Sequence, residues 1–411
     1  MTTENTDSNV NMVAPTATYD ILIIGGGTAG ISVAARLRLD ARTARLSIGL
    51  IEPSTVHFYQ PLWTLVGGGV VDMAASARPM ADFIPDAVDW VQDRVADVDP
   101  VSKRVHTEGG RHLAYGQLVV AAGIQLDWDK ISGLQGNLSE GGIVSNYSQP
   151  HVPKTWEAIR SFSGGNAVFT FPSTPIKCAG APQKIMYLCD DALRRQGVRE
   201  RSKVIFASAG AAIFGVKHYA VPLNKIVARK QIDTHFRHDL VEVRVKSREA
   251  VFRNLDQGTE LVINYNLLHV VPPMSGPNFL KAGPLVNAGG WVEVDKHTLQ
   301  HTRFPEVWSL GDCSSLPTSK TGAAIRKEAP VLVENMLAVR EGKAPTASYD
   351  GYASCPLVTG YGKLILAEFD YDGKPAESFP FDQRQERYSM WVMKVHALPE
   401  LYWNGMLRGR A

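Results

Sequence analysis

The sequence predicts an α/β protein built from two Rossmann-like dinucleotide-binding domains of the FAD/NAD(P) type, with a C-terminal amphipathic helical segment. Three observations carry this. An apolar run, Tyr19 to Ile24, feeds Gly25-Gly26-Gly27-Thr28-Ala29-Gly30 and then a helical stretch. A second strand-to-helix crossover starts near Arg201 with its glycines eroded. Aromatic and aliphatic residues then recur at helical spacing towards the C-terminus.

The length of 411 residues suits two domains that each bury a core. Hydrophobic content of 45% and charged content of 20% are those of a soluble globular protein. A net charge of +2 gives no footprint for nucleic acid. The 4 cysteines form neither a disulfide framework nor a CxxC or metal-ligand cluster, so no metal is expected. Residues 1–18 are polar, without a basic or apolar core, and read as a disordered leader, not a signal or transit peptide. No run approaches the roughly 18 apolar residues that span a membrane. The expected units are the leader 1–18, a first domain from 19–125 and 285–345, a second from 126–284, and a C-terminal part 346–411.

In the first unit, Leu46 to Ile51 is a second strand ending at Glu52, which completes the fingerprint of strand, glycine loop, helix, strand and acid. Gly25 makes the tight turn, Gly27 lets a pyrophosphate approach the backbone, and Gly30 lets helix and strand close together. The helix start faces the phosphates, and Glu52 accepts from ribose hydroxyls. Leu118 to Gly123 is a strand running into a small-residue turn that includes Ala122 and Gly123. Thr302 to Leu310 ends in Gly311-Asp312, a pattern that resembles two-dinucleotide-domain flavoproteins, in which this aspartate binds the ribityl chain. Lys320-Thr321-Gly322 opens a long helix whose positive end suits negative charge at N1 and C2=O of a reduced flavin. The cofactor predicted is non-covalent FAD.

In the second unit, Lys203 to Ala207 is a strand, followed by Ser208-Ala209-Gly210-Ala211-Ala212-Ile213 and a helix to about Lys230. Ser208 stands at the first glycine position and Ile213 at the third, where a branched side chain pushes helix from strand. A working nicotinamide site is not expected. Arg237 is the one hint of a 2′-phosphate partner.

Cys178 lies ahead of Pro182 and a helix from Gln183 to Arg195, with Lys177 adjacent. Both the helix start and the lysine favour thiolate. Cys355 precedes Pro356, which biases it to an extended conformation in a tyrosine-rich loop. Cys189 and Cys313 read as packing residues. A bridge between Cys178 and Cys355 needs Cα atoms within about 7 Å, a distance set by the fold.

The segments 52–67 (EPSTVHFYQPLWTLVG), 169–184 (FTFPSTPIKCAGAPQK) and 349–361 (YDGYASCPLVTGY) closely resemble sulfide:quinone oxidoreductases of the type II, mitochondrial-like branch. That resemblance covers nearly the whole chain from Tyr19 to Arg410. It implies oxidation of hydrogen sulfide at a redox-active pair, Cys178 and Cys355, with electrons passing through FAD to ubiquinone or another membrane quinone. Sulfide attacks the disulfide at Cys355 and leaves a persulfide, Cys178 thiolate contacts the flavin, and sulfide, sulfite or a small thiol removes the sulfur. A thiolate stabilised by a helix end is a good leaving group for that attack. His218 is a weaker candidate for proton transfer.

Tyr388, Trp391, Val392 and Val395 recur at helical spacing beside Arg384, Arg387 and Lys394. A second stretch carries Leu398, Leu401, Tyr402, Trp403, Met406 and Leu407, then Arg408 and Arg410. Aromatics with flanking bases suit a helix in the headgroup region, so peripheral, monotopic attachment on the cytoplasmic face of a membrane is expected. Phe381 and Trp391 are the candidates for a quinone pocket. Three readings compete: a type II NADH:quinone dehydrogenase, which needs an intact second nucleotide loop; the flavin subunit of a periplasmic sulfide dehydrogenase, which should be exported and which the N-terminus argues against; and a flavin-bearing persulfide carrier or sensor without quinone turnover.

Overall fold

The computed structural model describes residues 14–411, so most of the expected leader lies outside the described residues. Positions 14–18 do not, and the last two, Ala17 and Thr18, pair with Leu113 and Ala114 and open the first strand, Ala17–Ile24. The backbone there gains a parallel neighbour, which a polar composition does not forecast.

The first sheet is parallel in the order Val88–Val91, Ile48–Ile51, Ala17–Ile24, His112–Val120, Val307–Ser309. Arg104–Thr107 and Val95–Asp99 extend it antiparallel from the His112–Val120 strand. The central strand reads as one apolar run, Ile21 to Ile24, and each of those residues is buried, as a sheet covered on both faces requires. Helices Thr28–Leu39 and Gly322–Arg340 pack on it.

The second domain is a five-stranded, all-parallel sheet: Ile143–Val144, Leu267–His269, Gly165–Phe171, Ser202–Ser208 and Asp233–Phe236. A separate antiparallel sheet, His238–Arg244 with Glu249–Asn254 and Glu260–Asn264, covers it and shares a core with it. The two crossings between domains run side by side as Gln125–Leu126 and Met274–Ser275. Leu280, expected in the second domain, lies in the short helix Asn278–Lys281, which packs against the strand Val95–Asp99 of the first sheet.

After the helix Gly322–Arg340 comes an antiparallel hairpin, Ala353–Gly360 with Lys363–Phe369. The chain closes with short helical turns from Tyr388 to Arg408 that include two π-turns, Met393–Ala397 and Leu401–Gly405. No helix of the described residues is long and apolar enough to cross a membrane.

Candidate active site

The glycine loop is shaped for a dinucleotide. Gly25 has φ +98°, and a Cβ there would collide with Ala121 O. A Cβ on Gly30 would collide with Gly25 O, so strand and helix meet only through glycine. Gly27 is the opposite case: a Cβ there would meet nothing within 4 Å, leaving the exposed backbone and the start of helix Thr28–Leu39 open to phosphate. Glu52 accepts the Gly26 and Ser54 N–H groups at 2.8 and 2.7 Å, which fixes its carboxylate at the end of the second strand. Gly123 and Gly322 also border open space.

Across the cleft, Gly311 has φ +69° and donates its N–H to the buried Glu328 carboxylate at 2.8 Å; burial lifts that acid to about 7. Burial also raises the Asp312 carboxyl, against the pull of Lys320 and Lys177. Thr321 caps its own helix, its hydroxyl accepting from Ala324 N–H at 3.1 Å. Lys320 donates to Ser314 O at 3.0 Å and lies 4.2 Å from the Trp291 ring centre. The open Gly27 turn, the Glu52 carboxylate at the end of the second strand and Asp312 in the turn after Ser309 together fit FAD.

The cysteines meet because two segments from different domains converge. Cys178 follows the strand Gly165–Phe171 and precedes the helix Ala181–Arg195. It holds φ +84°, a conformation L-residues rarely adopt and one found disproportionately at functional sites. Cys355 is a strand residue, not the loop residue expected, paired opposite Ala367 and 0% exposed. The hairpin packs on the helix over Gly180, where a Cβ would stand 3.6 Å from Cys355 Cβ and collide with Leu357. Contact with the Cys355 thiol holds Cys178 well below the ordinary thiol range against the effect of burial, and Lys184 and Lys394 add to it. The same contact pushes Cys355 up. Both thiols are free.

Sequence reasoning assigned the cation at Cys178 to Lys177. The ammonium that reaches the sulfur is that of Lys184, with Nζ 3.4 Å from Sγ and one helical turn into Ala181–Arg195. Lys177 turns away and donates to Gln60 Oε1 at 2.8 Å. Lys394, 3% exposed, arrives from the π-turn Met393–Ala397 and donates to Pro61 O at 2.9 Å. Neither Lys184 nor Lys394 was legible as a site residue, because Cys178 lies ahead of the helix Ala181–Arg195 and its distance from Lys184 in the chain is not the i,i+3 or i,i+4 spacing that brings helical side chains together.

Comparison with known proteins decides the family. The pyridine nucleotide-disulphide oxidoreductase family model matches residues 19–153. The mitochondrial sulfide:quinone oxidoreductase of Mus musculus is 48% identical over 392 residues, which cover 95% of this chain and 87% of the relative. That of Dictyostelium discoideum is 46% identical over the same share of this chain and 86% of its own length. The chain belongs to the sulfide:quinone oxidoreductases. In fold it matches the sulfide:quinone oxidoreductase structure from Aquifex aeolicus, with a TM-score of 0.80 at 18% identity over 95% of this chain and 91% of that one.

As expected for a family member, this protein is an FAD-dependent oxidoreductase. The second nucleotide loop of this sulfide:quinone oxidoreductase is closed as well as eroded. Its helix starts only at Lys217, well beyond the end of the strand at Ser208. Ile213 and Phe214 are buried in between, with Gln183 Nε2 donating to Ile213 O at 2.9 Å. Arg237 is committed to Asp256 and Ala209 O at 3.0 and 3.3 Å, so the hint of a phosphate partner is gone. In place of a nucleotide groove, Phe214 to Val216 line an apolar cavity of about 440 Å³, shared with Ala179, Trp291, Ser319 and Phe369. Ser319 Oγ lies 4.0 Å from Cys355 Sγ, which puts this cavity next to the pair.

Other candidates do not converge on the cysteines. His218 Nε2 bonds Glu377 at 3.1 Å. Phe381 stacks on Phe379 and under Arg387, while Trp391 lies edge-on to Tyr361. The C-terminal segment touches the site through Lys394. The expected membrane stripe also splits in two. Tyr402, Trp403, Met406 and Leu407 are buried in the main core, while Tyr388, Val392 and Leu401 stay exposed. Burial of the second half follows from anchoring: Tyr402 OH lies 2.6 Å from His57 Nε2 and 2.8 Å from Thr28 Oγ1, tying it to the glycine loop.

Proposed function

We propose that this protein oxidises hydrogen sulfide at Cys178 and Cys355 and passes two electrons through FAD to a membrane quinone. The observation that carries the residue assignment is the meeting of the two thiols beside Lys184 and Lys394. Unequal ionisation gives the pair a direction. In the oxidised pair, hydrosulfide attacks Cys355 Sγ, the S–S bond breaks, and its electron pair leaves on Cys178, the sulfur that the two ammoniums stabilise as thiolate. Cys355 then carries the persulfide. A second nucleophile, such as sulfide, sulfite or a small thiol, takes the outer sulfur from Cys355 and leaves its thiolate. FAD, which the Gly25–Gly30 loop, Glu52, the Gly123 turn and the Gly311-Asp312 segment would hold, would supply the acceptor for the two electrons released as the two thiolates re-form the disulfide. The cavity bordered by Ala179 and Ser319 is the route for that second nucleophile.

Exposed Tyr388, Val392 and Leu401, with Arg384 and Arg408 nearby in sequence, support peripheral attachment of the C-terminal segment to a membrane face, assigned as cytoplasmic. Quinone entering there approaches Lys394, which links the membrane side to the cysteines.

The test is anaerobic flavin absorbance. Sulfide should bleach the flavin and a soluble quinone should restore it. NADH should do nothing, and Cys178→Ser and Cys355→Ser should abolish bleaching. Bleaching by NADH alone, or full bleaching in both serine variants, refutes the proposal. Bleaching by sulfide without recovery by quinone would instead favour a persulfide carrier or sensor.

A further inference from the structure

Several buried hydrogen-bond donors near the cysteines have no protein acceptor among the described residues. The Trp63 indole N–H, the Tyr147 hydroxyl and the Asn146 amide are all unpartnered, with the three residues 6%, 5% and 7% exposed. They belong to one neighbourhood. The Lys177 ammonium lies 5.5 Å from the Trp63 ring centre and 5.9 Å from that of Tyr147. Asn146 precedes Tyr147 and presses its amide against Gly67, one turn beyond Trp63. Each such buried donor left unmade costs about 1–3 kcal/mol, so a cluster of them is unusual in a finished core.

Donors predominate in the cluster. Indole offers only a donor, phenol offers a proton, and the ammonium keeps two protons beyond its bond to Gln60, while the Asn146 amide brings one unpartnered donor and one unpartnered acceptor. Among the described residues, Asp312 is the carboxylate that draws on Lys177. Burial lowers Lys177 to about 8, which still leaves it charged at neutral pH. Lys177 and Cys178 are both partly exposed, so the cluster has an opening to solvent. Ionised Cys178 and Cys355 both lift the Tyr147 phenol further than burial alone does, which places its ring within electrostatic reach of both sulfurs. Phe171 and Ile176 pack beside Tyr147 and also line the 440 Å³ cavity.

We propose that Lys177, Tyr147 and Trp63 form a subsite that holds a small sulfur anion, hydrosulfide, beside the cysteine pair before it attacks. The inference rests on the sulfide-oxidising reading and adds to it the residues that gather the substrate. Hydrogen sulfide ionises near neutral pH, and an ammonium between two donor-bearing rings favours the anion, which is the nucleophile. Lys177 is therefore a binding residue for substrate, while Lys184 serves Cys178.

The experiment uses the FAD-loaded full chain in an anaerobic stopped flow, following flavin reduction against sulfide concentration for wild type, Lys177→Met, Tyr147→Phe and Trp63→Phe. FAD content is measured in parallel. Lys177→Met should raise half-saturating sulfide about tenfold and the two ring variants several-fold, as expected for a lost charged or neutral hydrogen bond. The maximal rate should stay within about twofold, since no bond-breaking group is removed. The Lys177→Met penalty should also shrink as pH rises past about 8, where wild-type Lys177 loses its charge. Unchanged half-saturation in all three variants overturns the proposal. Loss of FAD from the variants also overturns it, because the donors would then serve the flavin. If sulfide fails to reduce wild-type flavin, the parent reading falls instead, which these variant comparisons cannot mimic.

Discussion

Lys394→Met should make the protein more stable while impairing its chemistry, and the gain should depend on pH. Lys394 is almost fully buried, and burial first, then repulsion from Lys184, lowers it from 10.5 to about 7. Between those values the unfolded chain holds a proton that the folded chain has released. Wild-type stability therefore rises with pH across that window, since the unfolded state binds more protons there. At pH 6 the ammonium is charged in both states, and burying it opposes folding by about 5 kcal/mol, from the gap between 10.5 and 7 at roughly 1.4 kcal/mol per pH unit. By pH 9 the opposing free energy falls to about 2 kcal/mol. Methionine fills similar volume without charge, so the variant should exceed wild type by about these amounts. The measurement is denaturant unfolding of both FAD-loaded proteins at pH 6 and pH 9. A gap that does not narrow by pH 9, or a variant less stable than wild type at pH 6, refutes the reasoning. The same substitution removes one of two ammoniums near Cys178 and should slow flavin reduction by sulfide.

Lys184→Met removes the cation 3.4 Å from Cys178 Sγ, and in the reduced protein it should lower the rate of Cys178 alkylation at least about tenfold just below the pH where the wild-type thiol ionises. An unchanged pH profile of alkylation would count against it. Cys178→Gly should be about 1 kcal/mol more stable than Cys178→Ala in thermal melts, because both remove the thiol and only glycine relieves φ +84°. Equal melting temperatures would show that no strain is held there. Gly180→Ala should cost about 1–3 kcal/mol and slow disulfide formation between Cys178 and Cys355, since the new methyl meets Leu357 and crowds Cys355. Val392→Asp together with Leu401→Asp should abolish flotation with liposomes while leaving reduction by sulfide in solution intact; unaltered flotation would move the membrane face elsewhere.

The sequence by itself determined the first nucleotide loop, the erosion of the second and the two cysteine segments. Each is a local pattern: Gly25, Gly27 and Gly30 are needed by the backbone they sit on, and Ile213 excludes a tight loop wherever it is folded. The family resemblance rested on the same contiguous segments. What only the tertiary structure decided concerns partners distant in sequence. Lys177, next to Cys178 in the chain, turns to Gln60, since adjacent residues do not face one another along the backbone. Lys184 and Lys394 take its place, one from a helix face and the other from a π-turn near the C-terminus. Helical periodicity around Tyr402 and Trp403 was visible, but periodicity marks an apolar face without saying what covers it. Their burial under the glycine loop comes from the bonds of Tyr402 to His57 and Thr28, a contact between the two ends of the chain.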